Sequence, residues 1–329
     1  MHNEEGATIV GVINSVTGKI NLDDLGSTLT HEHIMVASGG IPQSYPEYIN
    51  RNAIVEESIK LLSAARKEGN IQTIIDLSTV DLGRDVSMLR EISLGSGVNI
   101  IAATGNWRDI PRVFWNESPD TIADLFTREI EIGIDGTDIK AGIIKVANDV
   151  EGVTDIAEIV LRAAAKAQKR TDVPISTHTA ARERVGDQQI AIFEDEGVDL
   201  NRVYIGHSND STDIGYLTGL MDKGAWVGLD RYPGNSSVPG NPNWEERTET
   251  VKKLIDAGYG KRIMISHDWA VRMFIASPEI RAERDIRNPD GWLFIYRNVL
   301  PRLRSLGVKE EDIQSITVDN PRKFFEGNK

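Results

Sequence analysis

The chain has 329 residues, a formal net charge of −13 and no cysteine. The charge argues against binding a nucleic-acid backbone and gives anionic substrates no overall steering; the lack of thiols rules out disulfides and leaves only nitrogen and oxygen donors for a metal. No apolar run is long enough to span a bilayer, and the first residues lack the basic and apolar regions of a secretory signal, so a cytoplasmic protein without membrane partners is expected.

Residues 9–13 and 19–22 flank Ser15, Val16, Thr17 and Gly18, the pattern of a small hairpin ahead of the main fold. A repeating pattern follows: a short β-branched run, a polar residue at its C-terminal end, then an amphipathic stretch closed by glycine. The runs are 29–33, 71–76, 98–104, 141–146, 173–178, 203–207, 225–230 and 263–268. Between them, Ile54, Val55, Ile59, Leu62 and Ala65 make a helical stripe ended by Gly69. Val86, Leu89 and Ile92 make another before Gly95. Ile156, Ile159, Val160, Ala163 and Ala167 make the cleanest, with Thr154 placed to cap it. Later stripes precede Gly197, Gly224, Gly258 and Gly307, and Pro301 should kink the last of them.

Strand alternating with helix eight times argues for parallel pairing and a closed (β/α)8 barrel. An open doubly wound sheet is the alternative. It would want a glycine-rich turn after the first strand, where Ile34, Met35, Val36, Ala37 and Ser38 stand instead. No linker or low-complexity tract marks a second domain. One domain is expected over residues 1–329, with the hairpin in 1–25 and the barrel in 26–329. The longer segments 232–244 and 269–289 follow late strands and should lie over the barrel mouth.

In such a barrel the C-terminal strand ends converge on one mouth. His31 and His33 close the first run, and two-residue alternation turns both to one face, which suits a divalent metal or a solvated strand end. His178, His207 and Asp268 end the fifth, sixth and eighth runs, and Lys145 lies in the fourth. Burial in that apolar run would push the lysine toward a neutral, nucleophilic amine, unless its stem carries the charge to the rim. Asp268 also suits a helix N-cap. His267 should face away from Asp268 and act structurally, and nothing is read into His2 near the terminus.

Thr30-His31-Glu32-His33, Lys145, Thr177-His178-Thr179, Gly206-His207-Ser208-Asn209-Asp210 and Ser266-His267-Asp268-Trp269 together resemble the phosphotriesterase family of the amidohydrolase superfamily, which includes the phosphotriesterase-like lactonases. The likeness runs from Ile9 to Phe325, taking in Asn288-Pro289-Asp290-Gly291 and the tail from Asn320. It implies two divalent ions, most often zinc, with cobalt, manganese or iron as alternatives. His31, His33 and Asp268 would hold the buried ion, and His178 and His207 the outer one. Lys145 would carry a carbamate bridging both, beside a hydroxide that attacks the substrate. Asp268 would accept the proton, and Asp210 would take part in its removal.

The resemblance also makes Trp107, Arg231 and Tyr232 substrate-binding residues and implies a homodimer. Lactonases of the family carry Asp-Arg-Tyr where Asp230, Arg231 and Tyr232 stand; organophosphate specialists carry histidine in place of Arg231. Trp107 points the other way, because archaeal-type lactonases have tyrosine there. Val271, Met273, Phe274 and Ile275 should form an apolar wall for an acyl chain. A binuclear hydrolase of lactones with weaker phosphotriester hydrolysis is therefore expected. The alternatives are a primary phosphotriesterase (aryldialkylphosphatase), a mononuclear deaminase of the superfamily, which has no bridging lysine, and a barrel that only binds ligands.

Overall fold

The computed structural model describes residues 11–235 and 238–327. The expected hairpin is present as β1 (Val12–Ser15) and β2 (Gly18–Asn21); its residues 9 and 10 lie outside the described residues, as does His2. Then come β3 (Ser27–Val36), β4 (Ile71–Asp76), β5 (Asn99–Gly105), β6 (Ile143–Asn148), β7 (Ile175–Thr179), β8 (Val203–Ile205), β9 (Trp226–Leu229) and β10 (Ile263–Ile265). Each pairs in parallel with the next, with helices between.

Closure comes from a strand with no counterpart among the expected runs. Segment 269–289 is not an irregular excursion: it holds β11 (Ala270–Met273) and the helix Pro278–Arg287. β11 pairs in parallel with β3, Ala270 opposite His33. Just before it, the Asp268 amide donates to the His31 carbonyl at 3.0 Å and the His33 amide to the Trp269 carbonyl at 2.9 Å. The chain after β10 thus runs along β3 and completes the ring of a (β/α)8 barrel. Four residues are too few for strand periodicity to be read from sequence.

The helix Arg51–Gly69 ends at Asn70, which takes the left-handed conformation in place of the expected glycine. Val86–Ser96 runs past Gly95 to Gly97 (φ 68), because Gly95 is the point where Ile59 packs closely. Thr154 caps Asp155–Thr171, accepting from the Ala157 amide. The chain widens into a π turn, Ile295–Val299, just ahead of Pro301, and again at Ser315–Asp319 ahead of Pro321. Proline lacks an N–H and crowds the carbonyl four residues back, and a wider turn relieves both conflicts.

The main core lies between barrel and helices. A second cluster joins Ile13, Leu22 and Leu25 to Ile75, Ile101, Ile143, Tyr204, Met264 and Phe324. The hairpin and the C-terminal helix thereby plug one end of the barrel with apolar side chains, which leaves the C-terminal strand ends for polar ones. Among the described residues no helix is long and apolar enough to cross a membrane.

Candidate metal centre

Ile143 belongs to the plug, and alternation carries Lys145, two residues on, to the same interior one layer nearer the mouth. Gly105 and Ser176 stand opposite it on β5 and β7. A Cβ at Gly105 (φ 105) would lie 2.0 Å from the Lys145 carbonyl oxygen, so only glycine lets the chain close there. The expected runs overshoot the later strands. β8, β9 and β10 stop at Ile205, Leu229 and Ile265, and His207, Asp230 and Asp268 stand on the turns beyond. His207 (φ 58) and Asp268 (φ 53) take left-handed backbone, uncommon for residues with a Cβ. The kink ends the ladder and turns each side chain across the mouth. Asp268 caps no helix, since β11 follows it.

The structure brings His31, His33, Lys145, His178, His207 and Asp268 together around one cavity of about 160 Å³, with Trp107 and Arg231 also lining it. Asp268 is central. Its Oδ1 lies 3.6 Å from His31 Nε2 and 3.4 Å from His33 Nε2, and its Oδ2 3.8 Å from His207 Nε2. Lys145 Nζ is 3.1 Å from His31 Nε2, and His178 Nδ1 is 2.9 Å from His207 Nε2. Ligand atoms of His31, His207 and Asp268 all fall within 4.8 Å of one another. Two donors on one tetrahedral zinc stand about 3.3 Å apart, given bonds of roughly 2.0–2.1 Å. The donor spacing therefore fits a divalent ion.

The far nitrogen of each imidazole is held as well. Asp230, fully buried, faces His31 Nδ1 at 2.8 Å and His207 Nδ1 at 3.0 Å, and it accepts from the His207 amide and the Tyr204 hydroxyl. Ser78 Oγ lies 2.9 Å from His33 Nδ1. Such contacts orient a metal-binding ring and leave its other nitrogen facing the ion. His178 is turned the opposite way, with Nδ1 inward and Nε2 3.8 Å from Asp149.

Burial lowers the His31, His178 and His207 imidazoles, with help from nearby Lys145 and Arg231, and takes His178 to about 4. Neutral imidazole is the form that binds metal. Burial likewise brings the Lys145 amine down to about 7, close to the neutral form that adds carbon dioxide. For Asp268 burial pulls upward, but His207, His33, His31 and Arg231 outweigh it and hold the carboxyl well below its ordinary range.

Glu32 points away from the ligand face, as strand alternation requires, and is wholly buried. Its Oε1 accepts from Ser266 Oγ (2.6 Å), the His267 amide (2.9 Å) and His267 Nδ1 (2.7 Å). Its Oε2 accepts from the Trp269 amide and Trp292 Nε1, both at 3.1 Å. His267 Nε2 in turn accepts from the Ile295 amide, so His267 is structural, as expected. Glu32 thus anchors the segment that closes the barrel. Glu32→Ala strands several buried donors, each worth roughly 1–3 kcal/mol. Urea denaturation should show a loss of at least about 3 kcal/mol; a change within error would remove this role.

Arg231 spans two carboxylates, Nη1 to Asp210 Oδ2 at 2.5 Å and Nε to Asp268 Oδ2 at 3.2 Å. Asp210 is also gripped by Arg247 at 2.8 Å, so it meets Asp268 through Arg231. Trp107 Nε1 donates to His178 Nδ1 at 3.3 Å. Tyr232 is buried in the core and lines a neighbouring cavity rather than this one. Of the expected apolar wall, Met273 and Ile275 line the cavity, joined by Val36 and Leu82. Val271 lies in the main core, and Phe274, of opposite parity to Met273 and Ile275, packs against Tyr48 with ring centroids 5.6 Å apart. Sequence reasoning gave no role to Glu32, Ser78 or Asp230. The available signal for Asp230 was its place at the end of the seventh run.

The sequence model of the family described as "Phosphotriesterase family" matches residues 11–325. A "Phosphotriesterase homology protein" of Mycobacterium tuberculosis is 39% identical over 324 residues, covering 95% of this chain and 97% of that protein. An "Aryldialkylphosphatase" of Saccharolobus solfataricus is 38% identical over 318 residues, covering 94% and 98%. An "N-acetyltaurine hydrolase" of Danio rerio is 25% identical over 352 residues, covering 96% and 98%.

Proposed function

The chain belongs to the phosphotriesterase family, and from that membership we propose a binuclear metal-dependent hydrolase that opens lactones and, more slowly, cleaves phosphotriesters. His31, His33 and Asp268 would hold one ion and His178 and His207 the other, and Lys145, as a carbamate, would serve both. Two such ions, when bound, would supply an acidified water and polarise the oxygen of the bond under attack. Zinc is the first choice, and nitrogen and oxygen donors also accept cobalt, manganese or iron. Asp268 sits where it can take the proton of an attacking water.

The observation that carries the lactone reading is Arg231, braced by Asp210 and Asp268 beside the metal-facing cavity. A guanidinium fixed there narrows the space available to a bulky triester and offers donors to an ester oxygen. Val36, Leu82, Met273 and Ile275 supply an apolar side for an acyl chain. Trp107, whose indole faces the same cavity, favours the second reading, a primary phosphotriesterase, as does the name of the Saccharolobus relative. Lys145 at the centre disfavours the mononuclear deaminase.

The test is kcat/KM of the metal-loaded enzyme on acyl-homoserine lactones, γ- and δ-lactones and paraoxon. Lactones should lead by tenfold or more, about 1.4 kcal/mol of transition-state preference. Arg231→His should move the ratio toward paraoxon. A tenfold lead for paraoxon in the parent enzyme would make Trp107 the better guide and reverse the assignment.

A further inference from the structure

A second cavity, of about 210 Å³, adjoins the metal-facing one, and Arg231 and Asp268 line both. Its other lining includes Trp269, Arg284, Arg287 and Asn288. Arg284 and Arg287 come from the helix Pro278–Arg287, which follows β11. The Arg284 guanidinium lies over the Trp269 ring, 5.5 Å from its centroid, and the side chain is only 14% exposed. Its Nη2 is bound to Asp285 at 3.1 Å. Its Nε and Nη1 are buried and have no hydrogen-bond partner among the described residues, and the same holds for Trp269 Nε1 and Asn288 Oδ1. Arg287 forms no ion pair among the described residues.

A buried guanidinium with unspent donors is a costly arrangement unless a ligand supplies the acceptors. The two carboxylates that line this cavity are already engaged: Asp210 holds Arg231 and Arg247, and Asp268 faces the imidazoles and Arg231. Arg287 is thus left without a carboxylate partner among the described residues, and Arg284, paired with Asp285 through Nη2, keeps Nε and Nη1 unmet. Guanidinium groups match oxyanions in charge and in donor geometry. An apolar acyl tail would leave every one of these donors unmet.

We propose that the substrate carries an oxyanion, a carboxylate or a phosphate monoester, at the end remote from the bond that breaks, and that Arg284 and Arg287 receive it. This rests on the hydrolase reading above and narrows its substrate class. The chain's net charge of −13 gives an anion no long-range help, so recognition must come from these close contacts.

The test compares three γ-lactones of one skeleton on the metal-loaded enzyme: neutral, with a side-chain carboxylate, and with a phosphate monoester at the same carbon. At least one anionic lactone should exceed the neutral one tenfold in kcat/KM, mainly through KM, and which one leads identifies the oxyanion. In the Arg284→Met/Arg287→Met double variant the anionic-to-neutral ratio should fall to within twofold of unity, and Arg284→Lys should restore part of it. A neutral lactone that matches both anionic ones, or a preference that survives in the double variant, overturns the proposal. Should the double variant unfold, Arg287→Met alone must still lower the ratio at least threefold. If no lactone is hydrolysed, the lactone reading fails, and calorimetric titration with inorganic phosphate decides the subsite. Binding weakened tenfold in the double variant sustains it; equal binding removes it.

Discussion

Lys145→Ala is expected to lose at least a hundredfold in kcat/KM, about 2.7 kcal/mol, and to bind less metal. Lys145 is 1% exposed, in the apolar strand β6, with its Nζ 3.1 Å from His31 Nε2. A charged ammonium against an imidazole donor repels metal, whereas a carbamate would reverse the sign of the charge and supply two oxygens. Truncation to alanine removes those oxygens and leaves room beside the ligands. Acetate or propionate should fill that room and restore part of both activity and metal content. Full metal occupancy and full activity in Lys145→Ala, without added acid, would refute the bridging role.

Asp230→Asn is the second large effect. One buried carboxylate faces Nδ1 of both His31 and His207. An amide has a single acceptor oxygen, and its NH₂ would confront a ring N–H. Loss of such a supporting contact typically weakens metal binding by 10- to 100-fold; with two ligands affected, a loss of at least about a hundredfold is expected. Competition with a graded series of chelators measures it, and a change below threefold would show that neither ring depends on Asp230.

The same residue carries a pH dependence in the metal-free protein. Burial pulls the Asp230 carboxyl upward, but His31, Lys145 and the His207 amide outweigh it and hold it below its ordinary value. A carboxyl lowered on folding stabilises the fold above the unfolded value, about 3.9, and the contribution is lost as pH falls through the folded one. The stability gap between the parent protein and Asp230→Asn should therefore be largest near neutral pH and shrink below about pH 4.

The sequence alone determined the barrel and the kinds of side chain at its mouth, because both depend on local order. Period-two runs alternating with helical stripes specify strand and helix, and a polar residue at the end of a run falls at the end of a strand. Thr154 as a cap and the outward turn of His267 were legible for the same reason, whereas local order left Lys145 open between burial and the rim, and only the folded barrel buries it. The tertiary structure decided which groups meet. Asp230 is 199 residues from His31, and Glu32 is 235 from His267; no spacing rule connects them until the ring closes. β11 was hidden because its four residues become a strand only by pairing with β3. The wall of the cavity was half misread, since Val271 and Phe274 face away from it. Arg284 drew no notice in the sequence, where it is one charge on a polar helix. Its unpaired donors exist only because that helix folds back over Trp269 and takes them out of water.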